Sequence, residues 1–213
     1  MKTFNVISNT LLSENTFKLR VERPKCEILA GQCFNIGLPG LDINREYSMY
    51  SSADADYIDF IIRRVEGGLV SERLFDLKVN DKVELDGPYG AFLINEDCIP
   101  NNKFMFVATG TGIAPFHSFV STYSNLDYKV IHGIRLDNES YDYGDYGERY
   151  FPCVSKPLNS KNSQRVTDFL QKIEISNNTL VYICGNRNMI SDVYDIVHGK
   201  GVFGDSIFTE TFF

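Results

Sequence analysis

The 213-residue chain has no surplus of positive charge: 21 lysines and arginines stand against 28 acids, a formal net charge of −7. That argues against a general nucleic-acid binder, which needs a basic footprint for phosphates, and it leaves no overall attraction for an acidic partner. A C-x-x-C pair is also missing. The five cysteines, Cys26, Cys33, Cys98, Cys153 and Cys184, are odd in number and scattered, so neither a disulfide framework nor a metal or iron–sulfur site is expected. No apolar run approaches the roughly 20 residues that span a bilayer, and Met1–Asn5 opens no apolar signal region. The expectation is a protein without membrane insertion, in a reducing cytoplasm. Internal repeats are absent.

What remains is a composition of 43% hydrophobic and 23% charged residues, that of a globular protein able to bury one large core or two small ones. Residues 1 to about 95 read as short strands divided by turn residues, the pattern of a barrel or sandwich. The candidates are Phe4–Ser8, Thr16–Glu22, Gln32–Gly37, Arg45–Ser51, Tyr57–Arg64 and Lys82–Asp86, with one short helix from about Val70 to Leu77. Past Pro100 the character changes. Lys103–Ala108 is a near-continuous apolar run, suited to a strand buried on both faces, and a glycine turn and a helix at about Pro115–Tyr123 follow it. Strand-like runs recur at Lys129–Gly133, Phe151–Ser155 and Thr179–Cys184, with helical stretches at about Val166–Lys172 and Asn188–His198. Such alternation predicts a parallel sheet with helices on its faces. The polar, tyrosine-rich interval 137–148 has no clear period, and a short helix or irregular loop is expected there.

Three stretches combine groups that suit phosphorylated, ring-bearing ligands. Arg45-Glu46-Tyr47-Ser48-Met49-Tyr50-Ser51-Ser52 alternates so that Arg45, Tyr47 and Met49 share one face, and Ser48, Tyr50 and Ser52 the other. A guanidinium for phosphate, a ring for stacking and a small hydroxyl are what such a ligand needs; the alternative is an ordinary barrel strand with a surface arginine. Gly67-Gly68-Leu69-Val70-Ser71 opens a helix whose first backbone N–H groups an anion can approach; the alternative is a capped helical turn. Gly110-Thr111-Gly112-Ile113-Ala114-Pro115 departs from the dinucleotide fingerprint at Pro115, yet proline suits the first turn of a helix because its missing N–H would be unpaired there anyway.

These stretches, together with Gly87-Pro88-Tyr89-Gly90, Cys184-Gly185-Asn186 and the Glu210-Thr211-Phe212-Phe213 end, resemble the landmarks of the ferredoxin–NADP reductase family, in the same order and over nearly the whole chain. The resemblance implies two domains: an N-terminal antiparallel β-barrel binding FAD over residues 1–100, then an α/β parallel-sheet domain binding NADP over residues 101–213 with a C-terminal aromatic segment. It implies a flavin site of Arg45, Tyr47, Ser48, Gly68, Leu69, Val70 and Ser71. Adjacent strand residues face opposite ways, so of Arg63 and Arg64 only one easily joins that site, and Arg63 is the choice. Thr109, Gly110, Thr111, Gly112 and Gly185 would hold the pyridine nucleotide. Arg135, which follows the next strand where an acid would favour a free ribose hydroxyl, points with Ser155, Lys156 and Arg165 to the 2′-phosphate of NADPH. Ser48, Cys184 and Glu210 would lie at the reacting centre, Cys184 as an orienting group and not a nucleophile, with Phe212 over the flavin face. Alternatively, the terminal phenylalanines pack as a last strand on the sheet.

The leading functional expectation is a flavin-dependent oxidoreductase passing electrons between NADPH and a one-electron carrier, ferredoxin or flavodoxin. A second uses the same fold as an NAD(P)H-dependent flavin reductase or as the electron-transfer subunit of a larger redox complex, although the C-terminal cysteine cluster of the dihydroorotate dehydrogenase subunit is absent. A third is a nucleotide-binding regulatory module that has lost its flavin, against which the intact Arg45, Tyr47 and Ser48 argue.

Overall fold

The computed structural model describes residues 1–158 and 163–212, which divide into two compact units: Met1–Ile94 with Ala114–Thr122, and Asn95–Ile113 with Tyr123 onward. The boundary expected near residue 100 falls at Ile94, and helix 114–122 belongs to the first unit.

In the first unit six strands, β1 (Lys2–Ser13), β2 (Thr16–Glu22), β3 (Cys33–Gly37), β4 (Asn44–Ser48), β5 (Tyr57–Arg63) and β6 (Lys82–Tyr89), form an antiparallel sheet in the order β4-β3-β6-β1-β2-β5. β2 shows why: Phe17, Leu19 and Val21 are buried while Lys18 and Arg20 between them are half-exposed, the period-two pattern of a strand with one face on a core. β1 serves two neighbours, pairing with β6 through Lys2–Asn5 and with β2 beyond Val6, and irregularities at Val6/Ser8 and Leu11/Ser13 bend it between them. The sheet closes where the chain leaves β4: Met49 N–H donates to Gln32 O, but Tyr50 N–H donates to Asp59 O on β5 at 2.7 Å. The strand expected to reach Ser51 therefore ends at Ser48, because the following residues turn from β3 toward β5. Arg20 locks β2 to β5 through two bonds to Asp59, 2.7 and 2.8 Å.

α1 (Ser71–Phe75) is shorter than expected; Asp76 already caps it. α2 (Ala114–Thr122) carries buried Phe116 and Phe119 against Phe92, and its His117 ring stacks on Tyr50 with centroids 3.9 Å apart. Thr122 Oγ1 accepts the Ala53 N–H at 2.9 Å. These contacts explain why α2 joins the first unit.

The second unit is a five-stranded parallel sheet, order β11-β10-β7-β8-β9, from β7 (Lys103–Thr109), β8 (Tyr128–Ile134), β9 (Tyr150–Val154), β10 (Thr179–Gly185) and β11 (Ile207–Thr211). One face packs Met105, Val107, Ile131, Val181 and Ile183 against α3 (Val166–Lys172) and α4 (Arg187–Gly199). The alternate residues make the other face aromatic, with Phe106 near Tyr182 and Tyr182 stacked on Phe208 at 4.5 Å. Interval 137–148 resolves into short 3₁₀ turns. The chain runs from β7 outward to β9 and then returns to the far side of β7 as β10. Between β7 and β10 lies the reversal point where open α/β sheets bind ligands at their carboxyl ends.

Candidate cofactor sites

In the first unit, β4 sets Arg45, Tyr47 and Ser48 opposite Ile36, Phe34 and Cys33 of β3. Ser48 is buried, Tyr47 half-buried and Arg45 exposed. Burial pushes the Tyr47 phenol up to about 12 despite the Arg45 charge, so it stays neutral and can stack. The Arg45 guanidinium donates to the neighbouring Asn44 carbonyl at 2.8 Å, which leaves most of its fork for an anion.

Arg63, at the end of β5, is exposed, whereas Arg64 is bound to Glu72 at 3.0 Å and lies over Phe75. Beyond them, a Cβ at Gly68 would sit 2.8 Å from the Val65 carbonyl, so only glycine fits that turn. Its own N–H is committed, donating to Val65 O at 2.9 Å; Gly68 thus shapes the turn and is not the anion donor expected. Ser71 Oγ accepts the Val65 N–H at 3.1 Å and keeps its proton for another acceptor. Val70 at the N-cap offers the first-turn N–H groups no side-chain acceptor, and Leu69 beside it is exposed. An exposed guanidinium, a neutral half-buried ring and a helix start without a capping side chain fit the phosphates and ring of FAD.

In the second unit the carboxyl ends of β7, β10 and β11 converge. Thr109 ends β7, and Gly110–Ile113 follow as a 3₁₀ turn, with Thr111 half-exposed and Gly112 buried. A Cβ on Gly112 would lie 2.5 Å from the Cys184 carbonyl; one on Gly185 (φ +148°) would lie 2.3 Å from Thr109 Oγ1. Gly112 lies against the β10 backbone and Gly185 against the Thr109 side chain, with no room for a side chain at either glycine, so the turn and the ends of β7 and β10 pack closely together. Asn186 caps α4 by accepting the Met189 N–H at 3.0 Å and donates to Thr109 Oγ1 at 3.4 Å.

β11 runs beside β10 with Glu210 opposite Cys184, and Phe212 N–H extends the ladder to Gly185 O at 2.8 Å. Phe212 itself is half-buried just past the strand; Phe213 lies outside the described residues. The last segment is thus a strand up to Thr211. Burial, and then the Glu210 carboxylate, raise the Cys184 thiol well above its ordinary range, so it is a hydrogen-bond donor and not a thiolate.

Along the edge, Arg135, Ser155, Lys156 and Arg165 gather where β8 and β9 end. Lys156 N–H donates to Arg135 O at 2.8 Å, and Gln164 N–H to Val154 O at 2.9 Å. Arg135, Lys156 and Arg165 are exposed. The Ser155 hydroxyl donates to Ile134 O at 3.2 Å. Glu139, not weighed in the sequence, folds back so that its carboxylate accepts the Arg135 N–H at 2.7 Å.

Sequence reasoning also missed His132, buried in β8, and its partner Tyr150. Two-sided apolar runs signal such residues: a histidine inside Val130–Ile134 must find partners within the protein.

Two family models match in tandem, an oxidoreductase FAD-binding domain over residues 3–94 and an oxidoreductase NAD-binding domain over residues 106–195. The chain is 30% identical to the toluate 1,2-dioxygenase electron transfer component of Pseudomonas putida over 94% of its own length, and 25% identical to the ferredoxin–NADP reductase of Azotobacter vinelandii over 89%. The chain belongs to the ferredoxin–NADP reductase family. It spans 86% of the Azotobacter family member, but only 64% of the toluate component and 54% of a 2-halobenzoate 1,2-dioxygenase counterpart from Burkholderia cepacia. The family fold is equally plain in solved structures. A ferredoxin NADP+ reductase from Neisseria gonorrhoeae with bound FAD and NADP superposes with a TM-score of 0.88 over 100% of this chain and 98% of that one, at 20% identity. An Amycolatopsis cytochrome P450 reductase gives 0.87 over 99% and 70%, at 22% identity.

Proposed function

We propose that this chain is an NADPH-dependent flavin reductase that delivers electrons singly to a small one-electron carrier of the ferredoxin or flavodoxin type, in the cytoplasm. FAD, when bound, accepts an electron pair from a reduced nicotinamide and can release it one electron at a time. The observation that carries the reading is the convergence of the Gly112 and Gly185 cradle with the Cys184–Glu210 pair at the reversal point of the sheet. The cradle would receive the dinucleotide, and the protonated thiol would orient the nicotinamide. Glu210 would support the hydrogen bonding around it, with Ser48 as the flavin-side hydroxyl and Phe212 as a ring stacked on the flavin. Arg45, with Arg63 and the start of α1, would hold the FAD phosphates. The exposed Arg135, Lys156 and Arg165 favour the extra phosphate of NADPH over the free ribose of NADH.

The test is a stopped-flow reduction of the FAD-loaded protein with NADPH and with NADH, followed by mixing with ferredoxins and flavodoxins. A protein that takes up no FAD, or that bleaches with neither nucleotide, sinks the reading. The likeness to the Pseudomonas toluate component favours one second reading, an electron-transfer component serving an oxygenase. Rapid electron delivery to an oxygenase-type iron–sulfur protein, with free ferredoxins and flavodoxins inert, would select it.

A further inference from the structure

His132 sits mid-strand in β8, fully buried, on the sheet face opposite α3 and α4. Both ring nitrogens are engaged: Nδ1 is 2.7 Å from the Tyr150 hydroxyl, and Nε2 is 2.8 Å from the Gly110 carbonyl oxygen. A carbonyl can only accept, so Nε2 carries the proton, and Nδ1 accepts from Tyr150. Tyr150 is suited to that donor role, since burial raises its hydroxyl to about 12, and the Tyr146 ring stacks on it at 5.4 Å. The partner, Gly110, opens the glycine turn with φ +54°, and a Cβ built on it would meet nothing within 4 Å. Side-chain packing on that side therefore does not fix the peptide; the 3₁₀ turn and the bond from His132 hold it. In a trans peptide the carbonyl and the next N–H point in opposite directions, so drawing the Gly110 carbonyl toward the ring turns the Thr111 N–H away from it.

We propose that His132, with its tautomer set by Tyr150, is a positioning residue for the dinucleotide turn: by holding the Gly110 carbonyl inward it presents the Thr111 N–H outward to the ligand's pyrophosphate. The proposal rests on the nucleotide-binding reading above and adds to it how this chain orients its phosphate donor. Removing the bond leaves the 3₁₀ turn alone to hold a peptide whose glycine tolerates many conformations, and part of the ordering must then be supplied on binding.

The experiment uses the full-length, FAD-loaded protein and compares the dissociation constants of NADP+ and of adenosine 2′-phosphate, which has no pyrophosphate, by calorimetry. His132→Leu should weaken NADP+ about 10-fold, as for the loss of one well-placed hydrogen bond and its preorganisation, and leave adenosine 2′-phosphate within about 2-fold. His132→Gln, whose amide can replace the Nε2 donor, should recover most of the loss, and Tyr150→Phe should fall between. In the wild-type protein, ¹⁵N spectra of the ring should report one tautomer, protonated at Nε2, from pH 6 to 8. Unchanged NADP+ affinity in a folded His132→Leu variant overturns the proposal, as does equal weakening of both ligands. So does an Nδ1-protonated ring, a result that stands even where the leucine variant does not fold. A wild-type protein that binds neither NADP+ nor NAD+ overturns the nucleotide reading itself.

Discussion

Cys184 and Glu210 face each other across the β10–β11 ladder, with the thiol sulfur donating to the carboxylate Oε2 at 3.8 Å. Burial and this carboxylate keep the thiol protonated, which predicts reactivity. With a disulfide reagent at pH 8, exposed Cys26 should label first and half-buried Cys98 later, while Cys184 and Cys153 stay protected until the protein unfolds. Cys184→Ala should lower kcat about 10-fold with little change in the KM for nucleotide, as for a group that orients without binding. Labelling of Cys184 as fast as Cys26 would show a thiolate and remove the orienting role.

Arg45→Ala should release flavin. Losing a charge-assisted contact to a phosphate weakens FAD by about 10- to 100-fold, seen as fractional flavin absorbance after gel filtration. Arg64→Ala, which removes an ion pair to Glu72 and not a free fork, should retain its flavin. Full occupancy in the Arg45 variant would remove that residue from the site.

Replacing Arg135 and Lys156 together by alanine should raise the KM for NADPH by about 10- to 100-fold while leaving that for NADH nearly unchanged. Equal losses with both nucleotides would mean that neither side chain reads the 2′-phosphate.

The buried His132 predicts an acid-sensitive fold. Burial lowers its pKa from 6.5 to about 4, against the opposing bond to Gly110. Unfolded, the ring takes a proton below about 6.5; folded, it does so only near 4. The unfolded state therefore binds more protons between those values, and stability that is complete above pH 6.5 is lost as pH falls, by about 2–3 kcal/mol at pH 4.5. Urea unfolding of wild type and His132→Gln from pH 7.5 to 4.5 should show the steeper decline in the wild type. Parallel curves would mean the ring is not held neutral.

Much of this was readable in the chain because period and burial coincide. Thr16–Glu22 and Val166–Lys172 are a strand and a helix with the expected ends, and the glycine turn lies between β7 and α2 as its composition implies. What the chain does not spell out is the fate of individual hydrogen bonds. Nothing in Gly67-Gly68 reveals that the Gly68 N–H turns back to Val65, and nothing in Ser155 reveals that its proton goes to Ile134. Tyr50 continues the alternation of β4, yet its N–H belongs to Asp59 on β5, since barrel closure is decided by partners far along the chain. Phe116 and Phe119 mark α2 as one-sided, but periodicity names a buried face and not the core that receives it.

That last point bears on synthesis. A ribosome makes the first unit's six strands, then β7 of the second, and only afterwards the nine residues of α2 whose Phe116, Phe119 and His117 complete the first core. The barrel therefore cannot finish as a nascent domain when its own last strand emerges; the α2 side of its core stays open at Phe92 and Tyr50 until Thr122 is clear of the exit tunnel. A stop or a cut anywhere from 95 to 113 would leave an incomplete core, and neither unit can be exchanged between relatives by a single crossover in the gene.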